Sequence, residues 1–195
     1  MEKNLLVPRV RAGAARAVRA LPLIPLFILS GCLVPGARTG TPVLEVSSAA
    51  FAPGGEIPVM YTCDGANVSP PLSWSAPPQG TESIAILVTD PDAPGGTFVH
   101  WVAWNIPPGT REIPSGSAGK PVLPTGSVQG TSDFGRQGYG GPCPPGGKPH
   151  HYHFVVYALD SALTLPGKRD GRTLESSVRG HILAQGETIG IYRRI

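Results

Sequence analysis

The residues best suited to chemistry in this 195-residue chain are histidines and aspartates in two short stretches. Three of the five histidines fall within residues 150–153, where a loop rich in glycine and proline runs into an apolar segment. A second stretch, TDPDAPGG, places Asp90 and Asp92 at the end of an apolar run, and His100 follows soon after. Imidazoles and carboxylates can bind metals, bind anions or transfer protons, so their placement must decide between these uses.

The segment that begins at His150 sorts its histidines onto two faces, because side chains alternate along a strand. His150 and Tyr152 share one face, where they could line a pocket and donate hydrogen bonds to an anionic oxygen. The glycine pair at 140–141 could turn backbone N–H groups toward the same anion. His151 and His153 share the other face, and an H-x-H pair can present two nitrogens to one zinc ion. No third zinc ligand is evident, which weighs against zinc but leaves both uses open.

His100 lies in FVHWVAWNI, which is apolar on both alternating faces and is therefore expected in the middle of a sheet covered on both sides. Strict alternation places it on the same face as Phe98, Val102 and Trp104. An imidazole there must be hydrogen-bonded or line a cavity, because an unpartnered buried polar group is unfavourable. An aspartate at the end of the preceding strand could fix its tautomer; alternatively, both aspartates only shape their own proline-containing turn.

The surrounding chain is predicted to form short strands separated by stiff turns, because β-branched and aromatic segments alternate with proline and glycine. The predicted strands are VLEVSSAAF, EIPVMYTC, SIAILVTD, TFVHWVAWNI, HYHFVVYALD and ETIGIYRR. One helix is predicted in TLESSVRGHILAQG, with Thr173 as its N-cap, Gly186 as its stop, and Leu174, Val178 and Ile182 on one side. The fold class is therefore mainly β, an antiparallel sandwich with one or two short peripheral helices.

Residues 1–31 are expected to be an export signal rather than part of this domain. Five basic residues and one acidic residue precede a short apolar run that prolines interrupt, which is typical of a secretory signal and too short to span a membrane. The run ends in Leu-Ser-Gly-Cys, which resembles a bacterial lipobox and predicts cleavage before Cys32 and lipid attachment to its sulfur. An ordinary signal peptide and an uncleaved anchor are the alternatives.

The lipoprotein interpretation sets the expected organisation and location of the protein. Residues 32–42 would be a tether, and residues 43–195 would form one domain. The protein would be exported and held at the membrane through lipidated Cys32, on the periplasmic or cell-surface side.

The charge distribution argues against a nucleic-acid partner. The whole chain carries 16 basic and 13 acidic residues, a net charge of +3. The leader holds five of the basic residues and one of the acidic ones, so the remainder has a net charge of −1. A nucleic-acid-binding surface needs concentrated positive charge, which the part of the sequence after the leader lacks.

Cys63 and Cys143 remain once Cys32 is assigned to the anchor. In an exported protein two cysteines are candidates for a disulfide, although two separate thiols fit the sequence equally well. Cys143 is also the one candidate nucleophile near the predicted pocket, and a disulfide to Cys63 would remove it. A small hydrolase or another enzyme using the histidines and the aspartate for acid–base chemistry is therefore the alternative to a binding protein.

Three separated motifs resemble the phosphatidylethanolamine-binding protein family, in its bacterial branch often labelled Raf-kinase-inhibitor-like. They are YTCDGANVSPPLSW at residues 61–74, TDPDAP with a following HW within residues 89–101, and GPCPPGGKPHHYHFVVYALD at residues 141–160. The resemblance covers nearly all of residues 43–195 in the same order. It implies a sandwich of antiparallel sheets with a small anion pocket at one end.

The resemblance also implies which residues build that pocket. The family's motif positions correspond here to Asp90, Pro94, His100, Gly141, Pro145, His150 and Tyr152. This set selects the face of His150 over the H-x-H pair, so neither a metal nor a cofactor is expected. The pocket would hold phosphate, a phosphoryl headgroup or a carboxylate, and binding should strengthen as the pH falls and the histidines protonate. Some relatives inhibit enzymes, so an inhibited enzyme partner is a further expectation.

Three departures from the family pattern bear on function. Phe98 stands where many members have tryptophan before the strand histidine, and Cys143 stands where others often have glycine. The sequence stops soon after GIYRR, without the C-terminal helix that covers the pocket in eukaryotic members. A eukaryote-like kinase partner or a regulated lipid-headgroup site is therefore not expected.

Overall fold

The computed structural model describes residues 41–119, 123 and 125–194. Within these residues the chain forms eight strands and one α-helix. They are β1 (Val46–Ser47), β2 (Leu72–Trp74), β3 (Ser83–Asp90), β4 (Phe98–Ile106), β5 (Glu112–Ile113), β6 (Val128–Gln129), β7 (His150–Leu159), α1 (Gly171–Val178) and β8 (Ile182–Tyr192). The predicted leader, Cys32 and most of the predicted tether lie outside the described residues.

The strands form two antiparallel sheets. One sheet has three strands in the order β1-β2-β5, and the other has five in the order β6-β4-β3-β7-β8. β3, at the centre of the larger sheet, is buried at every position, as expected of a strand that is apolar on both faces. The prediction of a mainly β, antiparallel sandwich with a short helix is confirmed.

Apolar side chains pack on both faces of the five-stranded sheet. A first core lies between the two sheets and includes Trp74 of β2, Trp101 of β4 and Phe154 of β7. A second core lies on the opposite face of the larger sheet, where Leu174 and Val178 of α1 cover it. This double covering fixes β3, β4 and β7 firmly, which is what a site built on their ends requires.

The ends of three strands meet at one edge of the larger sheet. β3 pairs antiparallel with β4 on one side and with β7 on the other, so β3 ends where both neighbours begin. Asp90 closes β3, Phe98 opens β4 and His150 opens β7. Residues 60 positions apart in the sequence are thereby brought together at this edge.

A β-bulge in β4 changes the direction in which His100 points. Consecutive residues of β3 pair with Trp101 and Val99, so His100 is the extra residue between them. Val99 and Val102 face the second core, Trp101 faces the first, and the His100 ring packs edge-on against Tyr152 on the side of the first core. The predicted face, shared with Val102, is therefore wrong, because bulges break strict alternation and redirect a side chain.

The helix begins earlier and is shorter than predicted. Asp170, not Thr173, is the N-cap, and its Oδ1 accepts the backbone N–H of Thr173 at 3.0 Å. Gly180 then adopts φ of +83°, a left-handed conformation that turns the chain out of the helix. Ile182 starts β8, and Gly186 lies within that strand instead of stopping a helix. Among the described residues, no helix has the length and apolar character needed to cross a bilayer.

The segment EIPVMYTC is mostly a turn rather than the predicted strand. Pro58 has φ of −58°, and its carbonyl accepts the N–H of Tyr61 at 2.9 Å, which closes a 3₁₀ turn over Val59–Tyr61. Proline supplies the φ that such a turn needs and cannot donate to a sheet, so it overrides the β-branched composition. The turn places Cys63 at the loop that precedes β7.

Candidate functional site

A cavity of about 180 Å³ opens at the edge where β3, β4 and β7 meet. Its lining residues are Asp90, Ala93, Pro94, Phe98, His100, Phe134, Cys143, Pro144, Pro145 and His150. Since a water molecule takes up about 30 Å³ in the liquid, the space suits a group of a few heavy atoms rather than a drug-sized ligand. Five of the seven predicted pocket residues line it, and Gly141 and Tyr152 do not.

Asp90 and His150 form a buried pair in the cavity wall. Nδ1 of His150 lies 2.7 Å from Oδ2 of Asp90, and the two side chains are only 8% and 5% exposed. The other carboxylate oxygen of Asp90 accepts the backbone N–H of Asp92 at 2.9 Å, which closes the Asx turn considered for this stretch. Asp90 therefore holds the imidazole of His150 rather than that of His100. Because Nδ1 donates to the carboxylate, Nε2 is the ring atom left for a ligand.

His100 is held by a backbone carbonyl instead. Its Nδ1 lies 2.6 Å from the carbonyl oxygen of Gly140, which can only accept, so Nδ1 carries the proton. Burial lowers the pKa of His100, against smaller opposing effects of the Gly140 carbonyl and the Asp90 carboxylate. The ring is also flanked by aromatic groups, including Phe98 at 5.2 Å and Phe134 at 5.4 Å between ring centres. His100 therefore resists protonation.

Tyr152 lies beneath the cavity rather than at its mouth. The side chain is fully buried in the first core, and its ring stands at 87° to that of His100, with 5.1 Å between the ring centres. Within the described residues, no group meets hydrogen-bond geometry with its hydroxyl. Burial first, and then the nearby Asp90 carboxylate, raise the pKa of Tyr152, so the phenol keeps its proton. Tyr152 thus supports His100 from below and does not line the cavity.

The predicted backbone nest at Gly140 and Gly141 is wrong. The N–H of Gly140 donates to the carbonyl of His100 at 2.9 Å, and the N–H of Gly141 donates to Oδ1 of Asn67 at 2.7 Å. Both donors are therefore used within the protein. Glycine is needed here for close approach, because a Cβ on Gly141 would lie 2.3 Å from the carbonyl oxygen of Tyr61.

A disulfide between Cys63 and Cys143 forms part of the cavity wall. The sulfurs are 2.09 Å apart, and the bond joins residues separated by 80 positions. The N–H of Cys63 also donates to the carbonyl of Pro142 at 3.0 Å, which ties the same two segments together. The bond fixes the proline-containing loop against the turn that follows β1, and it leaves no thiol at Cys143.

Phe134 is a cavity residue that the sequence did not reveal. It is 39% exposed at the cavity mouth, and its ring contacts Phe98 edge-on at 4.8 Å between ring centres. The guanidinium carbon of Arg136 lies 5.5 Å from the centre of the same ring. The sequence did contain one sign of this role, a single phenylalanine in the polar stretch TSDFGRQ. A polar loop cannot bury such a ring among its own residues, so the ring must pack against another part of the protein.

The two remaining histidines of β7 lie on the opposite face, as predicted. Nδ1 of His151 lies 2.7 Å from Asp92, and Nδ1 of His153 lies 2.9 Å from Glu187. Each ring thus contacts a carboxylate of its own rather than a shared ion. In the described part of the chain, no group of three or more histidine, cysteine or acidic side chains is arranged to hold a metal.

Comparison with known proteins places these features in a family. The model of the phosphatidylethanolamine-binding protein family matches residues 47–193. The chain belongs to the phosphatidylethanolamine-binding protein family. The resemblance found in the three sequence motifs is thereby confirmed. A UPF0098 protein of Pyrococcus abyssi is 46% identical over 178 residues, which are 89% of this chain and 97% of that protein.

Other members of the family extend the comparison. LppC of Mycobacterium tuberculosis, named as a candidate lipoprotein, is 42% identical over 150 residues, covering 76% of this chain and 72% of its own. The crystal structure of Escherichia coli YbcL, described as a member of the mammalian family, aligns with a TM-score of 0.73 at 36% identity, over 78% of this chain and 99% of that one. A family homologue from Chlamydia trachomatis aligns with a TM-score of 0.71 at 34% identity, over the same shares.

Proposed function

We propose that this protein is a lipid-anchored, extracytoplasmic binding protein whose cavity holds a small anionic group, such as phosphate, a phosphoryl headgroup or a carboxylate. The observation that carries the proposal is the buried pair of His150 and Asp90 in the wall of a cavity of about 180 Å³. With Nδ1 held by the carboxylate, a protonated His150 offers its Nε2–H to an anion, and Asp90 stabilises that cationic form. Desolvation by the surrounding prolines and phenylalanines strengthens this charge-assisted hydrogen bond.

Calorimetric titration of the full chain in detergent tests the anion pocket. Phosphate and phosphoethanolamine are titrated between pH 5 and 8, and affinity should increase toward pH 5 because an anion binds an imidazolium more strongly than a neutral imidazole. The variant His150→Gln should lose most of the binding. His151→Gln is the matched control, because His151 is the next residue of the same strand and points away from the cavity. A pH-independent affinity, or an equal loss in both variants, would contradict the proposal.

The lipid anchor is supported by two observations on sequences. The apolar leader ends in Leu-Ser-Gly-Cys, and a relative 42% identical to this chain carries a lipoprotein name. Metabolic labelling with palmitate should mark the wild-type protein and not Cys32→Ser. Membrane fractionation should release the variant into the soluble fraction. An unlabelled wild-type protein, or a variant that stays in the membrane fraction, would remove this part of the proposal.

The disulfide bears on the enzymatic alternative. Cys143 was the one candidate beside the cavity, and its sulfur is bonded to Cys63. Mass mapping under non-reducing conditions should recover the two cysteines in one linked peptide pair. Turnover of a hydrolase substrate that Cys143→Ala abolishes would favour the enzyme instead.

A further inference from the structure

Two histidines on the outer face of β7 are held through the same ring atom. His151 and His153 stand two positions apart on a strand, so their side chains share a face and their Cα atoms are about 6.7 Å apart. Nδ1 of His151 lies 2.7 Å from a carboxylate oxygen of Asp92, and Nδ1 of His153 lies 2.9 Å from one of Glu187. A carboxylate only accepts, so in each neutral ring Nδ1 carries the proton and Nε2 presents a lone pair.

Nε2 is the open position of both rings. Within the part of the chain that the structure describes, no group hydrogen-bonds to Nε2 of His151 or of His153. The two imidazoles are 48% and 28% exposed, so small ions can reach them from solvent. The backbone beneath them is fixed, because β7 pairs with β8 over its whole length and His153 also pairs with Thr89 of β3. The pair is therefore an accessible set of two nitrogen ligands on a rigid element.

The carboxylates behind the two rings match the usual surroundings of a metal-binding histidine. Such a histidine binds the metal through one nitrogen and donates its other N–H to a carboxylate or a carbonyl, which orients the ring and makes the ligand nitrogen more basic. Asp92 and Glu187 supply this partner to both rings, and Asp92 is itself fixed by the backbone N–H of His151 at 2.8 Å. Their two negative charges also offset the charge of a divalent cation.

The number of protein ligands distinguishes between metals. Among the described residues, no group of three or more histidine, cysteine or acidic side chains could hold an ion, so water fills the positions that the two imidazoles leave. Zinc is bound in proteins by three or four side chains, which this pair does not provide. Cu²⁺ takes nitrogen and oxygen ligands in a square-planar or tetragonal arrangement, and it has the highest affinity for a given site among the divalent metals of its row.

We propose that His151 and His153 bind one Cu²⁺ ion through their Nε2 atoms, with water completing its coordination. Asp92 and Glu187 hold the two rings in position from behind and do not contact the ion. The site lies on the face of β7 that points away from the cavity. It is therefore independent of the proposed anion pocket.

Titration of the full chain in detergent with Cu²⁺ tests the site. Calorimetry should show one ion bound tightly per chain, and electron paramagnetic resonance of the wild-type complex should show two imidazole nitrogens on it. His151→Gln and His153→Gln should each weaken the affinity at least about tenfold, and Glu187→Ala should weaken it about tenfold because His153 loses the group that orients its ring. Ni²⁺ and Zn²⁺ should bind the wild type more weakly than Cu²⁺. Circular dichroism checks that the variants are folded.

His181 provides the matched control. Its Nδ1 lies 2.8 Å from a carboxylate oxygen of Asp160, and the two side chains are 46% and 45% exposed, close to the values for His151 and Asp92. It has the same chemistry but no second histidine two positions away. His181→Gln should therefore leave the affinity for Cu²⁺ unchanged.

Each outcome supports or overturns the proposal. Weakened binding in both His151→Gln and His153→Gln, with unchanged binding in His181→Gln, supports it. Weakened binding in only one of the first two variants, equal affinity in all three, or no binding to the wild type would overturn it. Zn²⁺ binding as tight as that of Cu²⁺ would overturn the choice of metal. Phosphate titrations in EDTA should give the same affinity for wild type and His151→Gln, so a failure of the anion pocket is observed separately.

Discussion

Nδ1 of His150 donates to a carboxylate oxygen of Asp90 across 2.7 Å, and both side chains are buried where three strands end. Removing one member of such a pair leaves the other desolvated and unpaired, which costs about 3 to 5 kcal/mol when the pair is buried. His150→Ala should therefore lower the free energy of unfolding by roughly that amount. Urea denaturation of the full chain at pH 7 measures it.

A neighbouring pair of the same chemistry provides the control. His151 and Asp92 are also 2.7 Å apart, but their side chains are 48% and 43% exposed. Solvent and salt screen an exposed pair, so His151→Ala should cost less than about 1 kcal/mol, and the cost should shrink in high salt. Equal costs for the two variants would show that burial does not distinguish the pairs.

Stability should decrease on mild acidification because of His100. Burial lowers its pKa from the ordinary value of 6.5, so the unfolded chain binds a proton at a pH where the folded chain does not. The neutral ring makes its full contribution to the free energy of unfolding above about pH 6.5, and this contribution is lost as the pH falls below that value. Thermal unfolding between pH 7.5 and 5.5 should thus show a decrease in melting temperature that His100→Gln reduces.

Acidic groups act in a different pH window. Hydrogen bonds from His151 lower the pKa of Asp92, and hydrogen bonds from Thr173 lower the pKa of Asp170. The two carboxylates therefore stabilise the folded state above the ordinary pKa of 3.8, and this stabilisation is lost as the pH falls below it. Neither carboxylate therefore accounts for a change in stability between pH 5.5 and 7.5. An identical pH profile for wild type and His100→Gln would mean that His100 titrates normally.

The disulfide should be a large contributor to stability. It closes a loop of 80 residues, which on the chain-entropy model stabilises the folded state by about 4 kcal/mol. The double variant Cys63→Ser/Cys143→Ser should lose an amount of that order in urea denaturation. Each single variant and the reduced wild-type protein should lose about as much, because any one change breaks the same bond. A double variant as stable as the oxidised protein would contradict the prediction.

Replacement by alanine should destabilise the protein at one glycine of the loop before β7 and leave its stability unchanged at another. A Cβ on Gly141 would lie 2.3 Å from the Tyr61 carbonyl oxygen, so Gly141→Ala must displace backbone and should cost about 2 kcal/mol or more. Among the described residues, no heavy atom lies within 4 Å of the corresponding position at Gly146, so Gly146→Ala is the matched control and should be nearly neutral. Unfolding free energies of the two variants, together with phosphate affinity, check the difference.

A related substitution tests the cavity mouth. A Cβ on Gly140 would meet the ring of Phe134 at 2.2 Å, so Gly140→Ala should push that ring away from Phe98 and His100. Adding Phe134→Ala removes the clash, and the double variant should be less destabilised than the sum of the two single changes. Additive effects would mean that the ring does not contact this glycine.

The sequence predicted much of the sheet and little of the detail at its edge. Segments such as SIAILVTD combine β-branched composition with flanking turns, so β3 was recognised over its full length. EIPVMYTC has a similar composition and was predicted as a strand, but Pro58 closes a 3₁₀ turn there. One proline thus outweighed the strand propensity of its neighbours. The helix was misplaced because the apolar Ile182 continues its spacing while Gly180 has already turned the chain.

At the site, the residue types were predictable and their directions were not. Asp90 and His150 followed from motif positions and the two-residue period of β7, and both line the cavity. The direction of His100 depends on a bulge, which is set by pairing between strands and leaves no local pattern. Gly141 was assigned to the ligand, although its N–H serves Asn67, a partner 74 positions away that only the fold brings near.

The disulfide-bonded Cys143 makes the wall of the cavity depend on the redox state of the protein's surroundings. Cytosolic reductants keep cysteines reduced, so a chain retained in the cytosol would carry Cys143 as a free thiol, in a loop that no disulfide holds in place. Oxidation would then complete the cavity and the covalent framework in a single step. A copy that had not left the cytosol would lack the covalent link that holds the loop of Cys143 against the turn of Cys63.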